Sequence, residues 1–154
     1  MNAVFWIILI ALISDFVIGA LSTILNMRSL DSSPPPGLET IYDGQDYHKS
    51  QQYTRVQSRF GLIVSSLNLA MLLTFWFIGG FNYIDQFIRV MEWNELWNGL
   101  AFIGILTMFF MVLNLPAQLY ATFVIEERFG FNTTTYSTFA LDTLKSICLS
   151  IILG

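Results

Sequence analysis

The sequence has few of the residues from which catalytic and metal sites are usually built. Among 154 residues it contains one histidine, His48, and one cysteine, Cys148. A single cysteine excludes an intrachain disulfide, and these two residues cannot supply the three protein ligands that a catalytic zinc ion usually has. We therefore assign no catalytic residue, no metal ligand and no cofactor to this chain.

Charge is also scarce. Charged residues make up 12% of the chain, against roughly 25% in a typical soluble domain. The net charge of −4 comes with no basic patch, which excludes the usual electrostatic footprint of a nucleic-acid-binding protein. The composition therefore indicates a membrane protein whose first partner is the lipid bilayer.

Apolar residues, at 55% of the chain, fall into long runs. Three runs, at about 3–27, 62–81 and 100–124, reach the roughly 20 residues that a membrane-spanning helix needs. A fourth run begins near residue 147, and its eight residues to 154 would rise only about 12 Å of a hydrocarbon core of about 30 Å. The expected fold is all-α: a polytopic membrane helical bundle with three full spans and a fourth helix inside which the chain ends.

The distribution of cations predicts the orientation. Loop 28–60 holds four of the seven, the loop after the second run holds one, and the segment after the third holds two: Arg28, Lys49, Arg55 and Arg59; Arg89; Arg128 and Lys145. By the positive-inside rule, the first and third of these segments are cytoplasmic and the N-terminus is outside or lumenal. The first run has no cation before it and is longer than a signal-peptide core, which indicates a membrane anchor.

Both polar connections between the apolar runs have helical features. In loop 28–60, prolines 34–36 favour an extended turn, helical spacing resumes at Leu38, and one helix is expected from Asp46 into the second span. In 81–98, apolar residues recur at helical spacing beside several aromatic residues. This second pattern predicts an amphipathic helix at the outer membrane interface, with an ordinary loop as the alternative.

Several polar residues lie within the apolar runs. Asp15 is in the first run, and Asn114 and Gln118 share a face of the third, which also contains Pro116. A carboxylate at the centre of a span costs about 2.5–3.5 kcal/mol on insertion scales, so Asp15 should face a partner or water. Two interpretations stay open for these residues: hydrogen bonds between helices, or the lining of a hydrated interior.

The end of the third run leads into a segment that we predict to be a fixed turn. Its candidate structural residues are Tyr120, Glu126, Glu127, Arg128, Gly130 and Asn132. Gly130 is expected to need a positive φ, Asn132 to cap the backbone or bridge to a partner, and Thr135 to cap a helix that begins at Tyr136. Adjacent carboxylates on a helix point about 100° apart, so the two glutamates are not a catalytic pair.

Two ordered blocks of residues carry a resemblance to a known family. The first runs from Leu115-Pro116 through Tyr-Ala-Thr-Phe-Val-Ile-Glu-Glu-Arg-Phe-Gly-Phe-Asn at 120–132 to Thr135, Phe139, Asp142 and Lys145. The second holds Tyr42-Asp43, then Tyr-His-Lys-Ser-Gln-Gln-Tyr-Thr-Arg at 47–55, then Arg-Phe-Gly at 59–61. Together the blocks resemble the N-terminal membrane region of the type I CAAX prenyl proteases, which are membrane zinc metalloendopeptidases.

This resemblance implies that residues 1–154 form the N-terminal transmembrane domain of such an enzyme, part of the wall of an intramembrane chamber. The zinc motif H-E-x-x-H is absent from the chain. The resemblance places zinc, and a prenylated or other C-terminal peptide substrate, with a C-terminal protease part of the same protein. The expected location is the inner membrane of a bacterium or the endoplasmic reticulum of a eukaryote. The alternative is a self-contained, non-enzymatic small membrane protein that acts as an assembly or chaperone subunit.

Overall fold

The structure is a computed structural model that describes residues 2–30 and 44–153, with side chains up to residue 150. The described residues form five α-helices, one π-helical segment and no strand, which confirms the predicted all-α class. The elements are α1 (Ala3–Ser29), α2 (Gly44–Phe77), α3 (Gly80–Arg89), α4 (Glu95–Tyr120), the π segment (Ala121–Glu126) and α5 (Tyr136–Leu153).

Three stretches of the described residues are long and apolar enough to cross a membrane. They are α1, α2, and α4 together with the π segment. This agrees with the three full spans predicted from the sequence and makes the chain an integral membrane protein. The predicted proline turn at 34–36 and the helical pattern from Leu38 lie outside the described residues.

The first compact unit, Met1–Ile78, contains α1 and α2. Asn2 caps α1, since its Oδ1 accepts a hydrogen bond from the Phe5 N–H at 3.0 Å. The Phe5 ring lies 4.8 Å from that of Trp76, close to the end of α2. At the other end of α1, the Arg55 guanidinium donates to the carbonyl of Leu30 at 3.2 Å. The two helices therefore pack antiparallel, and α2 continues beyond α1 as the single long helix expected from residue 46 onward.

The second unit, Gly79–Gly154, begins where the second apolar run is interrupted. That run was predicted to span to residue 81, but α2 ends at Phe77, because Gly79 adopts a φ of +78°, which does not continue an α-helix. A helix predicted in 81–98 is present as α3, whose Ile88 is only 2% exposed. It is shorter than predicted, because it ends at Arg89 and residues 95–98 already belong to α4.

The third span is longer than its apolar run. It was predicted over 100–124, yet α4 begins at Glu95 because Asn94 caps it, with Oδ1 accepting from the Trp97 N–H at 3.0 Å. Helical structure then continues past Pro116 to Glu126.

The helix that contains the apolar run at 147–154 begins well before that run. Thr135 caps it as predicted, since its Oγ1 accepts from the Thr138 N–H at 3.2 Å and its carbonyl accepts from the Phe139 N–H at 2.9 Å. The result is one helix, α5, that starts at Tyr136 with a polar first half and becomes apolar toward Leu153.

Candidate functional site at the end of the third span

The third span ends in a π-helical segment, Ala121–Glu126, five residues after Pro116. Proline has no N–H to donate and clashes with the preceding turn, which disturbs regular α-helical hydrogen bonding nearby. A π turn places one extra residue in the helix and changes the direction of every side chain after it; such turns are frequent at functional sites. Here the segment buries Ile125, which is 3% exposed.

The turn that follows closes the helix by the Schellman arrangement. The Phe131 N–H donates to the Glu126 carbonyl at 2.9 Å, and the Gly130 N–H donates to the Glu127 carbonyl at 3.0 Å. Gly130 has a φ of +67°, which confirms the predicted left-handed backbone. Phe129 is buried just before it, with 8% exposure. The helix end is therefore a fixed turn and not a solvated linker.

Asn132 ties this turn to the residues before α5. Its Nδ2 donates to Oε2 of Glu127 at 2.9 Å, and its Oδ1 accepts from the Thr134 N–H at 2.7 Å. Both bonds match the roles predicted for this residue, a bridge and a backbone cap. Arg128 lies over the Phe129 ring, with 5.9 Å from the guanidinium carbon to the ring centroid, which is within cation–π range.

Aromatic side chains join the π segment to α5. The rings of Phe123 and Tyr136 are stacked, with centroids 3.9 Å apart and planes inclined by 17°. Phe139, one turn further along α5, meets Phe123 edge to face at 5.8 Å. Such pairs contribute about 0.5–1.5 kcal/mol beyond the area they bury. The turn is thus held by hydrogen bonds on its backbone side and by ring contacts between the helices.

A polar groove of about 440 Å³ lies beside these contacts. Its walls come from the end of α4, the π segment, the turn and α5, and its lining residues are Met111, Gln118, Thr122, Glu126, Thr134, Phe139, Asp142, Thr143 and Ser146. Glu126 is half-buried in it, whereas Glu127 points to Asn132. The side chains of the two glutamates therefore lie in different surroundings, as expected for neighbours on a helix. Asp142 pairs with Lys145 at 3.3 Å, the predicted surface ion pair.

The structure gathers some of the predicted site residues and leaves others apart. Gln118 and Glu126 line the groove, and Glu127, Arg128, Gly130 and Asn132 form the turn. Tyr120 is an exposed residue at the end of α4, and the half-buried Asn114 donates to the carbonyl of Phe110 in its own helix at 2.9 Å. Asp15 lies on an exposed face of α1, in the other compact unit.

Sequence reasoning missed several groove residues, although their spacing carries a signal. Thr122 stands four residues after Gln118 and four before Glu126, so the three share one face of the helix end. Thr143 and Ser146 follow Phe139 at four and seven residues on α5. The signal in the sequence was that polar residues recur at helical spacing on one face of each of these two helices.

The described residues hold no metal centre. Within residues 2–30 and 44–153 no three histidine, cysteine, aspartate or glutamate side chains come together in a way that could hold a metal ion. The residues present here do not fit a zinc site, and no chemical step on zinc follows from this part of the chain.

The three membrane-length helical stretches and the ordered turn define a polytopic helical membrane protein. A family model described as the N-terminal part of CAAX prenyl proteases, with five membrane helices, matches residues 23–154. The chain therefore belongs to the CAAX prenyl protease family, a family of zinc metalloproteases, as the sequence resemblance predicted.

Individual relatives agree with this assignment. A Schizosaccharomyces pombe protein named "Probable CAAX prenyl protease 1" is 32% identical over 156 residues, which cover 89% of this chain and 33% of that protein. CAAX prenyl protease 1 of Saccharomyces cerevisiae is 31% identical over 78% of this chain and 29% of its own length. The crystal structure of S. mikatae Ste24p superposes with a TM-score of 0.80 at 29% identity, covering 93% of this chain and 35% of that one. The chain thus spans about a third of the length of these relatives.

Proposed function

We propose that this chain is the N-terminal membrane part of a zinc endopeptidase of the CAAX prenyl protease type. Its role is to form part of the wall of the intramembrane chamber and to support the catalytic part of the same protein. Zinc would be bound by residues of that catalytic part, and the substrate would be a prenylated protein or another C-terminal peptide. The chain's own residues would position and enclose, and would not take part in bond cleavage.

The observation that carries this proposal is the fixed turn at the end of the third span. Four hydrogen bonds of 2.7–3.0 Å hold the turn, and Glu127, Gly130 and Asn132 take part in three of them; the fourth joins Phe131 to the Glu126 carbonyl. A Schellman turn is a common helix ending, and here the Asn132–Glu127 bridge and the stacking of Phe123 on Tyr136 fix it further. It suits a rigid seat for another part of the protein, and the adjoining polar groove suits a wall that faces water.

The exposed apolar faces support the same proposal. Large apolar side chains are exposed along both α1 and α4, for example Ile7, Ile18, Ile103 and Val112. Faces of this kind need lipid or further helices against them, because exposed apolar area is unfavourable in water. A protein about three times as long as this chain would cover part of them with its own remaining helices.

The proposed location is the endoplasmic reticulum membrane, since the relatives named above are eukaryotic, with the bacterial inner membrane as the counterpart if the source is bacterial. The N-terminus is proposed to be lumenal or outside, with Lys49 and Arg128 in the cytoplasm and Trp93 on the opposite side. Single cysteines are placed at these three positions in a Cys148→Ser background. An impermeant thiol reagent is then added to the outside of sealed vesicles of known sidedness, and the extent of labelling at each cysteine shows on which side of the membrane it lies. Equal access at Lys49 and Trp93 would contradict the proposed topology.

Two measurements test the proposed function. The first is the natural reading frame beyond Gly154: an H-E-x-x-H sequence there supports the proposal, and a stop codon favours the self-contained, non-enzymatic alternative. The second uses the complete protein, assayed with a farnesylated CAAX peptide and analysed for zinc. Glu127→Ala, Gly130→Val and Asn132→Ala should each lower turnover while zinc content stays unchanged.

A matched control separates this effect from general disturbance of the loop. Thr133→Ala alters an exposed residue next to Asn132, in the same loop. It should leave turnover close to that of the unaltered protein. Unaltered turnover in all three turn variants would show that the turn does not serve the protease.

A further inference from the structure

A second cleft, of about 520 Å³, lies between α3 and the start of α4, away from the candidate site. Its lining residues are Phe81, Asn82, Asp85, Arg89, Glu95, Asn98, Gly99 and Phe102. Aromatic rings form part of the wall, and three charged side chains and two amides form the rest. Nothing in the proposed protease role uses this cleft.

The position of the cleft follows from the span that supplies half of its wall. Glu95, Asn98, Gly99 and Phe102 belong to the first two turns of the apolar stretch Glu95–Glu126. Those 32 residues rise about 48 Å if fully helical, well beyond a hydrocarbon core of about 30 Å. Because the apolar run itself begins only at about residue 100, we expect the first turns of α4, and α3 beside them, to lie among lipid headgroups.

The exposed side chains around the cleft match that depth. Tyr83, Trp93 and Trp97 are at least half exposed, and Phe87 and Leu96 are exposed beside them. Tyrosine and tryptophan are enriched where a membrane protein meets the headgroup region. The surroundings of the cleft are therefore those of a lipid surface and not of a water-filled loop.

The charges in the cleft select among headgroups. Arg89 donates to Oδ2 of Asp85 at 2.8 Å, and hydrogen bonding and charge from Asp85, with a further contribution from Glu95, raise the pKa of Arg89 above its ordinary value. One cation and two carboxylates give the cleft a net charge of −1. An anionic headgroup is disfavoured there, whereas a zwitterion can place its phosphate on Arg89 and its ammonium beside the carboxylates.

Asn98 forms part of the cleft wall. Its Nδ2 donates to the Trp93 carbonyl at 3.2 Å, which ties the start of α4 to the segment before it. Its Oδ1 has almost no accessible surface, so it is not presented to a group bound in the cleft. The charged groups of the cleft are therefore Arg89, Asp85 and Glu95.

We propose that the cleft between α3 and α4 binds the headgroup of a zwitterionic phospholipid. Arg89 holds the phosphate, and Glu95 and Asp85 lie beside the ammonium. The bound lipid fixes the start of the third span at the membrane surface. This inference depends on the chain spanning a membrane and is independent of the protease role.

Tryptophan fluorescence in vesicles tests the proposal on the full chain. In a Trp6→Phe, Trp76→Phe background the remaining tryptophans are Trp93 and Trp97, which stand within two residues of the lining residues Glu95 and Asn98 in the sequence. The chain is placed in vesicles of equal parts phosphatidylethanolamine and phosphatidylglycerol. Two samples are compared: in one the phosphatidylethanolamine carries bromine, which quenches tryptophan fluorescence, and in the other the phosphatidylglycerol carries it. Bromination of phosphatidylethanolamine should quench more strongly, with about a threefold local preference, as expected for exposed ion pairs of 0.2–1 kcal/mol.

Two variants of the cleft and one control complete the test. Arg89→Gln and Glu95→Gln should each bring the preference close to unity, and agreement between them guards against misfolding of one. Lys145→Gln breaks an exposed ion pair of similar kind outside the cleft and should leave the preference unchanged. Equal quenching by both lipids, stronger quenching by phosphatidylglycerol, absence of quenching by either, or an unchanged preference in both cleft variants would overturn the proposal.

Discussion

The long helices and the short elements that connect them differ in how they are stabilised. Among the described residues, α1, α2 and the α-helical part of the third span contain no fully buried apolar side chain. The buried ones are Ile88 in α3, Ile125 in the π segment and Phe129 in the turn after it. Within the described part of the chain, the buried apolar side chains thus lie in the connections and in the π-helical end of the third span, and not along the α-helical parts of the spans.

The spanning helices and the connections owe their fixed conformations to different interactions. A spanning helix satisfies its backbone internally and needs only an apolar environment around it, whether from lipid or from other helices. A connection at the membrane surface has no such help, so its shape must come from its own hydrogen bonds and packing. The turn around Gly130 should therefore be sensitive to single substitutions, and the exposed faces of the spans should not be.

The largest effect is expected for Gly130→Val. The residue has a φ of +67°, and a β-branched side chain strongly disfavours that conformation, at a cost of about 3 kcal/mol. The left-handed residue is required for both hydrogen bonds that close the Schellman turn. Hydrogen exchange at the amides of Gly130 and Phe131 should accelerate by about two orders of magnitude, which mass spectrometry of the chain in detergent micelles can measure.

Gly104→Val is the matched control for that prediction. Gly104 lies within α4, and a Cβ added there meets no atom within 4 Å. The same substitution should leave exchange in the turn unchanged, because it alters only an exposed position of a span. Accelerated exchange at Phe131 in this variant would break the distinction between spans and connections.

A smaller loss is expected for Asn132→Ala. The substitution removes a hydrogen bond to the Glu127 carboxylate and one from the Thr134 N–H, worth together about 2 kcal/mol. Glu127→Ala removes only the first, so its effect should be about half as large. A double-mutant cycle of the two variants, followed by unfolding in mixed micelles, should give a coupling energy of about 1 kcal/mol. A coupling of zero would mean that the bridge does not contribute to stability.

The features that sequence reasoning predicted correctly are local ones. Three of them join residues at most five positions apart: the Thr135 cap, the bridge from Asn132 and the Asp142–Lys145 pair. The fourth, the positive φ of Gly130, concerns a single residue. The chemistry of such short-range interactions is fixed by residue type and spacing. They could therefore be read from the sequence without knowledge of the fold.

The features that sequence reasoning missed depend on where helices end and what lies opposite them. An apolar run does not show that α2 ends at Phe77, since the run continues through the turn at 78–79 into α3. The π segment needs a single extra residue in a helix, and Pro116 gives only an indirect sign of it. The stacking of Phe123 on Tyr136 joins residues thirteen positions apart and depends on the path of the turn between them.

Thr135→Ala tests the boundary between the turn and α5. Loss of an N-cap hydroxyl costs about 1 kcal/mol, and here the hydroxyl accepts from the Thr138 N–H. The first turn of α5 should lose protection from exchange while the Schellman turn keeps it. Thr135→Ser, which retains the hydroxyl, should behave as the unaltered chain. Loss of protection throughout both segments would show that the turn and α5 form one cooperative element.

The smallest effect on the chain itself is expected for Asp15→Leu. Asp15 is exposed on α1, and within the described residues it makes no hydrogen bond or ion pair. Its replacement should leave the unfolding of this chain in micelles almost unchanged and should ease membrane insertion, because a mid-span carboxylate is unfavourable by about 2.5–3.5 kcal/mol.

A role for Asp15 is therefore expected in the proposed complete protease, where we expect the residue to face the hydrated interior. There Asp15→Leu should lower turnover on a farnesylated peptide, and Asp15→Asn, which keeps a polar side chain of the same size, should restore most of it. Full turnover with Asp15→Leu would remove the best reason for placing this face of α1 on the chamber, and a marked loss of stability in the isolated chain would break the contrast between its spans and its connections.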